Sequence, residues 1–240
     1  MSRRAVTHLK RVDPVLARVI EAVGPYRLRV LSQGTHFHAI LRSITYQQLS
    51  GKAAETIHGR VLALYGEAGI TPAALLATPD ETLRAAGLSR AKVAYVKDLA
   101  AHSVAGALER LYDLSDAEVL TTLVRIKGVG RWTAQMVMMF RLGRLNVVPE
   151  LDLGVRKAIQ AAYGMRTLPT PKRVTALGLT WAPYGTIASW YLWRSLELPA
   201  KTKTKTTTKT RATGPAPSRA RSPTRRVQRR TSAGSSRPRR

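Results

Sequence analysis

The segment LVRIKGVGRWTA (123–134) predicts two helices joined by a tight hairpin, and it restricts the fold of this chain more than any other feature. Apolar Leu123 and Ile126 close the first helix. Gly128 and Gly130 form a turn that we predict to be too tight for a Cβ atom. The turn leaves free N–H groups at the start of the second helix. Together with the positive end of the helix dipole, these groups form an anion site.

A small residue and an acid complete this pattern. Ala134 allows the two helices to approach closely, and Asp152 follows it by 18 positions in the segment PELDLGVRK. Aspartate is favoured as a helix cap, so Asp152 is expected to begin the next helix. It also brings a carboxylate one helix beyond an anion site, where it is a candidate for catalysis. Glu150, two residues earlier, is the alternative acid.

The charge of the chain indicates which anion it binds. Its 240 residues include 40 Lys and Arg but only 14 Asp and Glu, a net charge of +26. Fourteen of the basic residues lie in 199–240, a segment with no acid and almost no large apolar residue, which we predict to be disordered. Residues 1–198 can bury a substantial core and still carry a net charge of +12. DNA is the simplest polyanion that fits both parts, although the tail is alternatively a solubilising extension.

Several protein classes are excluded. The chain contains no cysteine, so disulfides and a thiolate-bound iron–sulfur cluster are excluded. The N-terminus lacks the apolar core of a signal peptide, and no apolar run is long enough to cross a membrane. We therefore expect a cytoplasmic, DNA-associated monomer without a membrane partner.

The apolar spacing and the capping residues predict an all-α fold. Strand-like alternation is nearly absent, and its best example is the short segment YRLRVLS (26–32). Candidate helix starts are recognised by a capping Ser, Thr or Asp, several of them followed by proline or by a capping-box glutamate: Asp13, Ser50, Thr71, Thr78 with Glu81, Ser89, Ser115 with Glu118, and Thr170.

The segment from Ile126 to Ile159 resembles the signature of the helix-hairpin-helix DNA glycosylases, and within them the 3-methyladenine DNA glycosylase II, or alkylation-repair, branch. GVGRWTA and DLGVRK are its most specific parts, and HAILRSITYQQLS supports them. The resemblance extends over about residues 13–197. Related bacterial enzymes often carry an additional N-terminal α/β domain, which we do not expect here. The implied architecture is two helical lobes around a DNA-binding cleft, followed by the tail: lobe A at about 40–150, lobe B at about 10–39 plus 151–198, and the tail at 199–240.

The resemblance also implies roles for individual residues. Asp152 stabilises the positive sugar that forms when the glycosidic bond breaks, and it orients or deprotonates water. Trp132 stands where bifunctional relatives have a lysine nucleophile, so strand cleavage is not expected. The residues expected to bind DNA phosphate at the hairpin are Lys127, Gly128, Gly130 and Thr133.

An enzyme of this kind must flip the damaged base out of the duplex and fill the gap. The resemblance assigns the gap-filling position to Gln48, with Gln47 and Tyr46 adjacent, although an exposed helix-end glutamine is the plain alternative. Aromatic faces attract the cationic alkylated purines. The predicted base pocket contains Trp132, Trp193, Met136, Tyr46 and Trp181, with Tyr184 as a further weak candidate. Met136 departs from the tyrosine of some relatives, which puts the pocket shape in question.

The expected function is therefore a monofunctional glycosylase that hydrolyses alkylated purines of the 3-methyladenine and 7-methylguanine type from DNA. Two alternatives stay open. One is a non-catalytic, architectural DNA-binding protein, and the other is a glycosylase for other damaged or mismatched bases. No cofactor is expected to be required, although such hairpins can hold a monovalent cation through backbone carbonyls.

Overall fold

The computed structural model describes residues 2–31 and 33–199. Within these ranges the regular elements are α-helices and one short 3₁₀ turn at Gly66–Ala68, so the all-α prediction is confirmed there. The helices are α1 (Ser2–Val12), α2 (Pro14–Val23), α3 (His36–Tyr46), α4 (Gly51–Ala63), α5 (Pro72–Ala77), α6 (Asp80–Ala85), α7 (Arg90–Val104), α8 (Asp116–Val124), α9 (Arg131–Phe140), α10 (Leu153–Ala162), α11 (Pro171–Trp181) and α12 (Gly185–Ser195).

Most of the predicted caps are formed, and two are wrong. Asp13 accepts from the N–H groups of α2, and Ser115 and Glu118 make the reciprocal capping box of α8. Ser50 precedes α4 but makes no side-chain cap. Thr78 does not cap α6 either, because its hydroxyl donates back to the Ala74 carbonyl at the end of α5. A Thr that closes one short helix is not free to cap the next.

Two further elements differ from the prediction. Helix α1 lies in a segment for which no helix was expected, because SRRAVTHLKR is mostly polar and has no capping signal. It forms because Ala5 and Leu9 are completely buried against other helices. The best strand candidate was 26–32, and residues 26–31 form no regular element in the described part of the chain. Their Leu31 N–H donates instead to the Phe140 carbonyl of α9, at 2.7 Å.

The helices enclose two hydrophobic cores. The first is built from α3 to α9 and includes buried residues from Phe37 to Val147. The second joins α1 and α2 to α10, α11 and α12. Trp193 of α12 packs against both cores. The chain therefore passes from the first core to the second between Val147 and Val155, the stretch that contains Asp152.

No helix in the described part of the chain is both long and apolar enough to cross a membrane. The predictions for the basic tail fall on residues 199–240, of which all but Pro199 lie outside the described residues.

Candidate active site

The hairpin between α8 and α9 has the predicted tight turn at one of its two glycines. Gly128 has φ +78°, and a Cβ there would lie 2.3 Å from the Tyr95 ring of α7. Gly130 has φ −78°, and a Cβ there would meet nothing within 4 Å. The prediction of a turn too tight for a side chain is therefore wrong for Gly130. Its bare Cα leaves open space directly before the first N–H groups of α9.

Helix α7 holds the hairpin from behind through a carboxylate. Asp98 accepts a hydrogen bond from the Lys127 backbone N–H at 2.8 Å, and its other oxygen is 3.5 Å from the Lys127 ammonium. The Lys127 side chain is nevertheless largely exposed. Lys127 thus lies at the hairpin surface, as expected for a phosphate contact, with part of its charge balanced by Asp98.

A glutamine from the end of α3 holds the hairpin from the other side. The Gln47 amide nitrogen donates to the Gly128 carbonyl at 2.9 Å and lies 3.3 Å from the Thr133 hydroxyl. Thr133 is 4% exposed. Thr133 was predicted to offer phosphate a hydroxyl or an N–H, and the structure places its hydroxyl against the Gln47 amide.

Asp152 lies at the start of α10 with both carboxylate oxygens in use. Oδ1 accepts from the Val155 N–H and from the Trp193 indole N–H, each at 2.8 Å. Oδ2 accepts from the Trp132 indole N–H, also at 2.8 Å. Asp152 is therefore a helix cap and also the shared acceptor of two tryptophans, one from α9 and one from α12.

The glycine beside Asp152 keeps this arrangement compact. A Cβ at Gly154 would lie 3.0 Å from Asp152 Oδ1 and 3.0 Å from the Trp193 ring. Any side chain there would separate the carboxylate from the indole. Two indole donors and a helix N-terminus together fix the orientation of the Asp152 carboxylate.

Glu150, the alternative acid, occupies a different environment. It is 9% exposed, and its oxygens accept from the Arg131 guanidinium and from the Gln135 amide. Burial by itself would raise the pKa of Glu150, but the hydrogen bonds from Gln135 and Arg131 outweigh burial and lower it. Glu150 therefore joins α9 to the following loop as a buried, hydrogen-bonded anion.

A cavity of about 650 Å³ opens beside the hairpin. It is lined by three residues of the predicted base pocket, Tyr46, Trp132 and Met136, and by Gln48, the predicted gap-filling residue. Trp132 from α9 forms part of its wall and is 42% exposed. Trp193, also predicted for the base pocket, does not line this cavity itself; it stacks on the wall residue Phe140, with ring centres 5.8 Å apart. The wall includes Arg42, Tyr46, Gln47, Gln48, Trp132, Met136 and Phe140.

Trp181 does not belong to this cavity. Its side chain is fully buried in the second core, and its indole N–H donates to the Asp13 carboxylate at 2.8 Å. The same carboxylate oxygen accepts from the Tyr163 hydroxyl. The assignment of Trp181 to the base pocket is thus corrected: it packs and satisfies a buried cap. Tyr184, the weak candidate, lies edge-to-face against His8 of α1.

Gln48 lies two residues beyond the end of α3 and is exposed at the cavity. Its φ is +57°, the only positive φ of a non-glycine residue in the described ranges. Such a conformation costs about 1–2 kcal/mol for a residue with a Cβ. The cost indicates that neighbouring contacts hold Gln48 in place.

A comparison with protein families identifies the chain. A family model described as "HhH-GPD superfamily base excision DNA repair protein" matches residues 41–183, which include the hairpin, Gln48 and Asp152. The chain belongs to this superfamily.

Two relatives from fission yeast match this chain over most of their own length. DNA-3-methyladenine glycosylase 1 of Schizosaccharomyces pombe is 32% identical over 81% of this chain and 88% of its own. The alkylbase DNA glycosidase-like protein mag2 of the same organism is 30% identical over 83% of this chain and 96% of its own. The sequence resemblance to the alkylation-repair branch is therefore confirmed.

Solved structures agree with this relationship. The S. pombe 3-methyladenine DNA glycosylase Mag1, solved in complex with abasic DNA, has a TM-score of 0.74 and 31% identity; the match covers 83% of this chain and all of Mag1. A DNA-3-methyladenine glycosidase from Bacillus halodurans has a TM-score of 0.72 and 38% identity, over 79% of this chain and 87% of its own. The superfamily fold thus extends over most of the described residues.

Several residues of the site carry no recognisable sequence signal. Arg42 lies over the Tyr46 ring, 4.0 Å from its centre, and Phe140 supports Trp193. Lys92 of α7 reaches the end of α3. Their spacing in the sequence is that of ordinary helix residues, so only the fold reveals their proximity.

Proposed function

We propose that this protein is a monofunctional DNA glycosylase of base excision repair that hydrolyses alkylated purines from duplex DNA. The observation that carries the proposal is Asp152, whose carboxylate is held by the indole of Trp193 and by that of Trp132, a residue that lines the cavity. A helix cap needs no second and third donor. The names of the relatives support the same reaction class.

The proposed chemistry is the breaking of the bond between the base and C1′ of the sugar. Both electrons of that bond leave with the base, and positive charge develops on C1′ and the ring oxygen. The carboxylate of Asp152 stabilises this charge and accepts a proton from the water that adds to C1′. Free base and an abasic deoxyribose are the products.

The cavity supports a preference for bases that are cationic. Purines alkylated at ring nitrogens carry positive charge while attached, and the base leaves as a neutral molecule. Trp132 and Phe140 present aromatic surface on which such a base can stack, with a cation–π contribution. Met136 adds a flexible apolar side chain to the wall, at the position where some relatives have a tyrosine.

The hairpin and the basic surface support binding to DNA phosphates. Gly130 leaves the N-terminus of α9 open, and Lys127 extends beside it. Backbone N–H groups at a helix start bind phosphate without reading sequence. Such contacts position the duplex, while the cavity selects the damaged base.

Incubation with a methylated duplex is expected to give abasic sites and intact strands. No amine stands at position 132, and the indole of Trp132 is not a nucleophile for C1′. Denaturing gels before and after alkaline treatment measure the two outcomes separately. Borohydride reduction that traps a covalent adduct between protein and DNA would contradict the monofunctional mechanism.

Gln48→Ala is expected to weaken binding to abasic-site duplex about tenfold and binding to undamaged duplex far less. Only the duplex with an extrahelical nucleotide has a gap that the Gln48 amide can fill. Alanine keeps a Cβ and so keeps the backbone cost of the positive φ, which makes it a matched substitution. Equal weakening of both duplexes, measured by fluorescence anisotropy, would reduce Gln48 to an ordinary surface residue.

A further inference from the structure

One face of α7 supports both loops that line the front of the cavity. Lys92, Tyr95 and Asp98 are spaced three residues apart, so they project from neighbouring positions of the helix. Tyr95 packs where Gly128 has no side chain, and Asp98 holds the Lys127 backbone. Lys92 is the member of this face that turns toward the other loop, the one that carries Gln48.

The Lys92 ammonium closes the C-terminal end of α3. Its Nζ donates to the carbonyls of Thr45 and Gln47, both at 2.7 Å. The last carbonyls of a helix have no partner within the helix, and the negative end of its dipole favours a cation. The last turn of α3 contains no basic residue of its own. Lys92 therefore supplies from another helix the charge that this helix end lacks.

Lys92 binds the carbonyl that lies immediately before Gln48, the residue with the strained backbone. Gln48 has φ +57°, and the carbonyl of the peptide that leads into it belongs to Gln47. The Gln47 side chain is anchored separately on the Gly128 carbonyl. The peptide before Gln48 is thus held by an ammonium from α7 and by the hairpin, and this leaves the Gln48 side chain free at the cavity.

We infer that Lys92 and Gln47 are positioning residues that hold Gln48 in the left-handed conformation from which it enters the gap in flipped DNA. The inference rests on the proposed function, in which Gln48 fills that gap. A residue already held in its binding conformation loses less entropy on binding. Lys92 therefore acts on the selectivity for gapped DNA and makes no contact with DNA itself.

The test is a double-mutant cycle on one quantity, the affinity for abasic-site duplex divided by the affinity for undamaged duplex. Lys92→Met keeps the length of the side chain and removes its donors. We expect it to lower this ratio about tenfold, the size expected for losing hydrogen bonds from a charged donor. In a Gln48→Ala background the same substitution is expected to leave the ratio unchanged, because Lys92 acts only through Gln48.

Lys97→Met is the matched control. Lys97 lies on the same helix, and its ammonium also donates to two carbonyls, those of Leu76 and Thr78 at 2.9 and 2.6 Å, at the end of α5. It makes the same kind of contact outside the cavity wall, so its loss should affect melting temperature and not the affinity ratio. Lys92→Arg keeps a cationic donor and is expected to restore most of the ratio.

Three results would overturn the inference. The first is an unchanged ratio in folded Lys92→Met protein. The second is an equal fall in the Gln48→Ala background, which would mean a direct contact or a general loss of structure. If Lys92→Met does not fold, Gln47→Met removes the other anchor, and an unchanged ratio there also overturns the inference. A wild-type protein with no preference for abasic duplex would instead contradict the gap-filling function on which the inference rests.

Discussion

Asp152→Asn is expected to lower the rate of base release at least about a thousandfold, while duplex binding stays close to that of the wild type. The substitution removes the negative charge that faces the developing positive sugar. It also disturbs the site locally, because the amide nitrogen of asparagine would face the indole N–H of Trp132 or Trp193, one donor against another. Single-turnover assays with enzyme in excess measure the chemical step apart from product release.

Glu150→Gln is the matched control for this loss. Glu150 is the other acid of the segment, but its oxygens bind Arg131 and Gln135. Those of Asp152 bind Trp193 and the cavity residue Trp132. Folded Glu150→Gln protein should release base at a rate close to the wild type. A large loss in Glu150→Gln together with near-normal turnover in Asp152→Asn would transfer the catalytic role to Glu150.

Gly128→Ala is expected to destabilise the protein by about 3 kcal/mol or more. Its positive φ costs about 1–2 kcal/mol for alanine, and the added Cβ would overlap the buried face of Tyr95. For about 200 described residues this corresponds to a fall in melting temperature of about 6 °C or more. The Tyr95 ring or the hairpin must move, and hence the N–H groups that lead into α9 move as well.

Gly130→Ala separates steric fit from phosphate binding in the same hairpin. The added methyl group meets no protein atom, and the φ of Gly130 is one that alanine adopts, so the melting temperature should change little. The methyl group occupies the open space before α9, so the affinity for every duplex should fall. Equal melting temperatures for Gly128→Ala and Gly130→Ala would contradict this account of the turn.

The sequence predicted the elements whose cause is local. Apolar spacing and caps such as Asp13 and Ser115 predicted most helices, because a cap bonds residues only two or three positions away. It missed α1, whose stability comes from the burial of Ala5 and Leu9 against other helices and not from a capping signal in its sequence. It also assigned a cap to Thr78, whose hydroxyl had a nearer acceptor at the end of the preceding helix.

The site was predicted to the extent that its residues belong to one motif. Asp152 and Trp132 could be selected together because the hairpin pattern fixes their separation in sequence. The shared hydrogen bonds of Trp132 and Trp193 to one carboxylate were not predictable, since Trp193 is 41 positions from Asp152. Lys92 lies 47 positions from the Thr45 carbonyl, and nothing in its neighbourhood indicates that contact. Trp181 was chosen only because it lies close to Trp193 in sequence, and its packing places it in the second core instead.

The most direct measurement of the central claim is the identity of the base that purified protein releases from methylated duplex DNA. Chromatography of the released material should show free 3-methyladenine and 7-methylguanine, with strands intact and with no release by Asp152→Asn. DNA that stays bound without loss of any base would contradict the proposed enzyme and favour a non-catalytic DNA-binding role. Release of neutral oxidised or mismatched bases in place of alkylated purines would contradict the proposed substrate.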